Sequence, residues 1–298
     1  MRNAFIEELV SAAQNCNSIA LVVGDLGYKV VEPFAERFPE RFFNAGIAEQ
    51  NMMGLAAGLA SEGMHVFVYS IANFPTFRCA EQIRNDVDYH NLPVTIVSVG
   101  GGLAYGNLGY SHHAVQDYAL MRVLPNILIA APGDPMEARA CTRYLVSNPQ
   151  PSYLRLGKSG EKNVHMKVPH ISPGVWVPIS DLPGQENKII VSTGAALETV
   201  VQWKLNGLID DYKLHTLPLW GMRHKNLQPN QVNFHKEIVT VEDHLIDGGF
   251  SSWMCESLLG TGLINRINAK GLNHNIFNLV GKQLTLNIAG GLDPSKFS

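Results

Sequence analysis

The chain has 298 residues, 46% of them apolar, with 23 basic side chains against 26 acidic ones and a formal net charge of −3. That length suits one large or two ordinary domains, and the absence of a basic surplus or a Lys/Arg run excludes nucleic acid as the expected partner. No stretch approaches the roughly 20 apolar residues of a spanning helix, and residues 1–8 carry acids where a secretory signal would carry an apolar run, so no membrane association is expected.

In chain order, residues 19–24, 65–71, 93–99, 126–131 and 152–156 are apolar runs of strand length. Residues 48–63, 77–90 and 135–147 between them have helical spacing. Near-continuous apolar strands alternating with helices predict an α/β fold with a parallel sheet covered on both faces. Residues 158–187 are rich in Pro, Gly, Ser and Lys and read as a linker with room for an edge hairpin. A second unit follows, with strands at 188–192, 213–217 and 237–241 and helices at 195–205 and 249–259. The expected organisation is therefore two three-layer α/β/α domains, 1–160 and 188–298, joined by a linker at 161–187. Cys16, Cys79, Cys141 and Cys255 are scattered and form no CxxC pair, which suggests free thiols in a reducing cytoplasm and no metal site.

Four stretches carry candidate chemistry. Glu49 follows a glycine turn (Asn44-Ala45-Gly46-Ile47-Ala48) and opens an Ala/Gly-rich helix. A carboxylate there either caps the helix dipole or, walled in by apolar neighbours, serves as an acid/base group. In Tyr69-Ser70-Ile71-Ala72-Asn73-Phe74-Pro75-Thr76-Phe77-Arg78, the aromatics Phe74 and Phe77 suit either core packing or a wall for a flat heteroaromatic ligand. The glycine-rich stretch Gly100 to Gly109 follows a strand and leads to Ser111-His112-His113. The paired histidines are poor joint metal ligands, but one facing a cleft could move protons. Arg155, inside the apolar strand 152–156, suits an anion clamp or a structural salt bridge equally well.

Taken together, Gly46-Ile47-Ala48-Glu49-Gln50, the aromatic stretch running into Arg78 and Glu81-Gln82-Ile83-Arg84-Asn85, the glycine loop closing on Ser111-His112-His113, and Leu120 to Asn126 leading to Pro132-Gly133-Asp134 resemble the transketolase superfamily. Val239-Thr240-Val241-Glu242-Asp243-His244 with Gly248-Gly249-Phe250 resembles its C-terminal domain. The resemblance covers essentially the whole chain and extends to 1-deoxyxylulose-5-phosphate synthase. It implies a pyrimidine-binding domain followed by a transketolase C-terminal domain, with thiamine diphosphate as cofactor. The domain holding the diphosphate and its Mg²⁺ has no counterpart here, which implies a separate N-terminal transketolase subunit and an α2β2 heterotetramer.

By the same resemblance, Glu49 hydrogen-bonds the cofactor's aminopyrimidine and promotes loss of the thiazolium C2 proton. Phe74 stacks on the pyrimidine, with Phe77, Arg78 and Asp25 at the cofactor site and Asn51 nearby. His112 is catalytic and faces substrate, with His113 and Arg155 as further substrate contacts for sugar phosphates. The pattern departs at Ile71, where a Phe is common, at Leu108, where an Asp is expected, and at Gly100, where a His is expected. The last two remove polar groups from the sugar site and so point away from ordinary pentose phosphates. A β-like subunit of a 2-oxo acid dehydrogenase and a non-catalytic paralogue are the alternatives.

Overall fold

The computed structural model describes residues 1–180 and 182–296. Its elements in chain order are α1 (Arg2–Asn15), β1 (Ile19–Val23), α2 (Glu32–Arg37), β2 (Phe42–Asn44), α3 (Glu49–Ser61), β3 (His65–Ile71), α4 (Phe74–Phe77), α5 (Ala80–Gln82), β4 (Val94–Val99), α6 (Asp117–Met121), β5 (Leu128–Ala130), α7 (Pro135–Ser147) and β6 (Ser152–Leu156). They continue as β7 (Val177–Pro178), β8 (Gln185–Ser192), α8 (Ala196–Leu205), β9 (Tyr212–Thr216), β10 (Leu219–Trp220), α9 (Gln228–Asn233), β11 (Glu237–Leu245), α10 (Phe250–Ser257), β12 (Ile267–Leu272) and α11 (Gln283–Gly290).

The first sheet has seven strands in the order β10-β5-β6-β4-β3-β1-β2, and the second has five in the order β12-β11-β8-β9-β7. Pairing is parallel except at two edges, β10 on β5 and β7 on β9. Every residue of β1, β4 and β6 is buried, as expected of central strands covered by helices on both faces. Helix α7 shows how the local sequence sets an element. Asp134 caps it by accepting the Glu137 N–H at 2.7 Å, and Pro135 occupies the first turn, where its missing N–H costs nothing.

Three expectations are corrected. Residues 77–90 do not form one α-helix: the chain turns at residues 78–79 after α4, restarts as α5 and runs straight on into a π-helical turn over Ile83–Asp88. The first sheet borrows its edge strand β10 from beyond residue 187, so the sheets do not divide the chain at one point. Within 161–187 there is no edge hairpin among the described residues; β7 instead pairs with β9, with Val177 opposite Thr216.

The parallel register brings the carboxyl ends of β1, β3, β4 and β6 to one edge, where Tyr69 lies opposite Val97 and Ser98 opposite Arg155. The glycine turn before Glu49, the Phe74 turn, the Gly100 loop and Lys158 all lie at this edge, where open α/β sheets present ligand sites.

Candidate active site

Glu49 is the first residue of α3 and is only 5% exposed. Its Oε2 accepts one hydrogen bond, from Arg78 at 3.1 Å. Arg78 is half-exposed and lays its guanidinium carbon 4.2 Å from the centre of the Phe74 ring. Phe74 in turn meets the His112 ring edge-on at 5.4 Å, and His112 approaches Tyr105 at 6.4 Å. The ammonium of the exposed Lys158 lies 5.3 Å over the Tyr105 ring. These contacts make one row: Glu49, Arg78, Phe74, His112, Tyr105, Lys158. A buried carboxylate stands at one end and a solvent-facing cation at the other.

The row is held by backbone. Asn73 donates from Nδ2 to the carbonyls of Ser111 and His113, at 3.2 and 2.9 Å, fastening the His112 turn beside Phe74. The Oδ1 of Asn73 is buried without a hydrogen-bond partner among the described residues. Gly100 sits at φ +83, and a β-carbon there would run into the Tyr105 ring. The glycine is therefore required both by the turn and by the ring that fills its space. Below, the C-terminal part supports the same loop: the Gly281 N–H donates to the Gly106 carbonyl at 3.2 Å, Leu286 packs on Gly106, and Phe277 meets Tyr110 at 5.1 Å.

Other expected site residues fall elsewhere. Arg155 is 2% exposed and fully engaged. It donates to Asp117 Oδ2 at 2.7 Å, Asp243 Oδ1 at 2.6 Å and the Ala114 carbonyl at 2.7 Å. Burial works against its charge, but the two carboxylates outweigh burial and hold its pKa well above the ordinary range. It is the structural salt bridge of the two readings, an internal clamp between β6, α6 and β11, and has no donor to offer a phosphate. His113 is also corrected. It is buried against the Gly106 carbonyl, and desolvation pushes its pKa down, so it supports the loop from inside rather than facing a substrate. Phe77 is 48% exposed and makes no ring contact with the row among the described residues. Asp25 is exposed at φ 54, where its Oδ1 accepts from Asn44 Nδ2 at 3.0 Å. Asn44 Oδ1 also accepts the N–H groups of Asp25 and Gly46 and so shapes the turn leading to Glu49. Asn51 is exposed on α3, and Leu108 is 53% exposed. Sequence reasoning missed Asn73, Tyr105 and Lys158. An Asn directly before Phe74 and a Lys just past β6 were the available signals.

A buried carboxylate at the start of a helix, an aromatic ring and a histidine are thus brought into one row. Residues 1–161 match the pyrimidine-binding domain of transketolase. The chain is 37% identical to one subunit of the apulose-4-phosphate transketolase of Phocaeicola vulgatus over 269 residues, 86% of this chain and 83% of that one. It is 31% identical to the 1-deoxy-D-xylulose-5-phosphate synthase of Aquifex aeolicus over 98% of its own length, which is 46% of that enzyme. A solved split gene transketolase, described as an inactive beta4 tetramer, superposes with a TM-score of 0.79 at 30% identity, covering 98% of this chain and 94% of that one. The chain belongs to the transketolase family.

Proposed function

We propose that this chain is the pyrimidine-binding and C-terminal half of a two-polypeptide transketolase, and that it moves a two-carbon ketol unit between sugar phosphates. The observation that carries the reading is the Glu49 carboxylate, buried at a helix start and bonded, among the described residues, through a single arginine beside the Phe74–His112 pair. The residues of the row suit thiamine diphosphate on their own terms. Glu49 Oε1 takes no hydrogen bond among the described residues, and the buried Asn73 Oδ1 lacks a donor. An aminopyrimidine carries N–H groups that both oxygens would accept. When bound, the cofactor supplies the nucleophilic carbon that accepts the ketol unit.

The chain's residues divide the remaining work. Glu49 holds or releases a proton at the pyrimidine nitrogen, in a place water reaches poorly. Phe74 packs against the ring, and Arg78, fixed by both Glu49 and Phe74, fences the carboxylate from solvent. His112 exchanges a proton with a substrate hydroxyl. With Arg155 committed elsewhere, the exposed Lys158 is a cation of the row that a substrate phosphate can reach, and Gly100, its side-chain space filled by the Tyr105 ring, and Leu108 stand where polar sugar contacts were expected.

A separate chain would bind the diphosphate through Mg²⁺, giving an α2β2 assembly. Support comes from the Phocaeicola vulgatus relative being one subunit of its enzyme, from the beta4 tetramer described as inactive, and from the chain spanning about half of the synthase it matches. Co-expression with the candidate partner followed by calorimetric titration tests this. The assembly should bind thiamine diphosphate with Mg²⁺ and transfer ketol units, and this chain alone should show no Mg²⁺-dependent binding. Micromolar Mg²⁺-dependent binding by this chain alone would defeat the split reading.

A further inference from the structure

A cavity of about 680 Å³ lies between α8, α11 and the segment after β6, on a different part of the molecule from the Glu49 row. Its volume falls within the range of small-molecule sites. Its wall carries polar groups on an apolar floor: Lys162, Gln202, Asn206, Lys282 and Asn287 line it beside Trp203, with Glu198 as the one carboxylate among the described residues. Two cations against one anion leave the wall net positive.

Asn287 marks this cavity as a binding site. It is 4% exposed, in the middle of α11, and its Oδ1 is buried with no hydrogen-bond partner among the described residues. An unpaired buried amide oxygen costs about 1–3 kcal/mol, which an apolar residue of similar size would avoid. A ligand hydroxyl in the cavity supplies the missing donor, and an anionic group on the same ligand meets the lysines. We propose that this cavity binds a small phosphorylated polyol or sugar, with its phosphate between Lys162 and Lys282 and a hydroxyl donating to Asn287.

The helix that forms the wall has a second task. Leu286, one position before Asn287 and so about 100° around the helix, packs on Gly106 in the loop that carries His112. A ligand on Asn287 thus sits on the element that backs the catalytic loop.

Calorimetric titration of the full chain with glycerol 3-phosphate tests the proposal, with inorganic phosphate and glycerol as the separate halves. Glycerol 3-phosphate should bind saturably and at least tenfold more tightly than either half. Binding should weaken at least tenfold in Asn287→Leu and in Lys282→Glu, and remain unchanged in His112→Ala. Lys162 and Lys282 lie at the surface rather than in the core, so Lys162→Glu and Lys282→Glu test the site without disturbing packing. No saturable binding, equal affinity for phosphate alone, indifference to both lysine variants, or loss of binding in His112→Ala would each overturn it. Because none of these readouts requires ketol transfer, the outcome is independent of the function proposed above.

Discussion

Replacing Arg155 with Met separates the two roles an arginine in an apolar strand can play. The guanidinium is 2% exposed and bridges Asp117 and Asp243, which are themselves 0% and 1% exposed. Arg155→Met keeps the apolar stem and removes the charge, stranding two buried carboxylates and a carbonyl that now accepts from its Nη2. Breaking one partner out of a buried pair costs about 3–5 kcal/mol, and here two anions lose the same cation. A domain of ordinary stability has about 5–15 kcal/mol in total, so the variant should lose a third or more of its stability. Urea unfolding followed by circular dichroism reads this as a fall in midpoint. Adding Asp117→Asn and Asp243→Asn should recover part of the loss, because the stranded charges go with the cation. If Arg155→Met unfolded at the wild-type midpoint while the assembled enzyme showed a raised KM for phosphorylated substrate, the clamp would be wrong and the phosphate role right.

Lys158→Ala should raise KM for phosphorylated substrates about tenfold or more in the assembled enzyme with little change in urea midpoint, since the side chain is exposed; an unchanged KM would remove Lys158 from the site. Glu242 is buried beneath α10, where burial pushes its pKa up to about 8 from 4.5 even though the Phe250 and Ser251 N–H groups donate to it. A raised folded pKa means the folded chain holds this proton longer than the unfolded chain does. Its contribution is therefore complete below about pH 4.5 and lost as pH rises toward 8, at no more than about 1.4 kcal/mol per pH unit. Glu242→Gln should flatten that part of the stability profile, and an identical slope in variant and wild type would show that Glu242 does not titrate in this window. Gly100→Ala should destabilise the glycine loop and lower turnover, because the added carbon meets the Tyr105 ring at a positive φ; full turnover would show that the ring is free to move.

The α/β class and most central strands were legible because apolar runs such as Ile19–Val23 and Val94–Val99 carry their own pattern. Glu49 and Phe74 were legible as motif residues, and the structure puts them in one row with Arg78 and His112. What the sequence hid was long-range commitment. Arg155 reads the same whether its partner is a phosphate or Asp243, 88 positions away. His113 cannot be told from His112 by adjacency, because only the fold decides which ring turns inward. The break in residues 77–90 was likewise invisible to periodicity, since Ile83–Asp88 keeps its apolar face while changing helix type. The edge strand Leu219–Trp220 is too short to announce which sheet it joins.

The central claim is that Glu49 governs proton exchange on a bound aminopyrimidine. Hydrogen–deuterium exchange at C2 of thiamine diphosphate, measured by quenched-flow NMR on the assembled enzyme with Glu49→Gln, tests it most directly. The variant should still bind the cofactor but exchange about 10²–10⁴ times more slowly than wild type, the range a positioned acid/base group contributes. Exchange at the wild-type rate, with cofactor bound, would contradict the account.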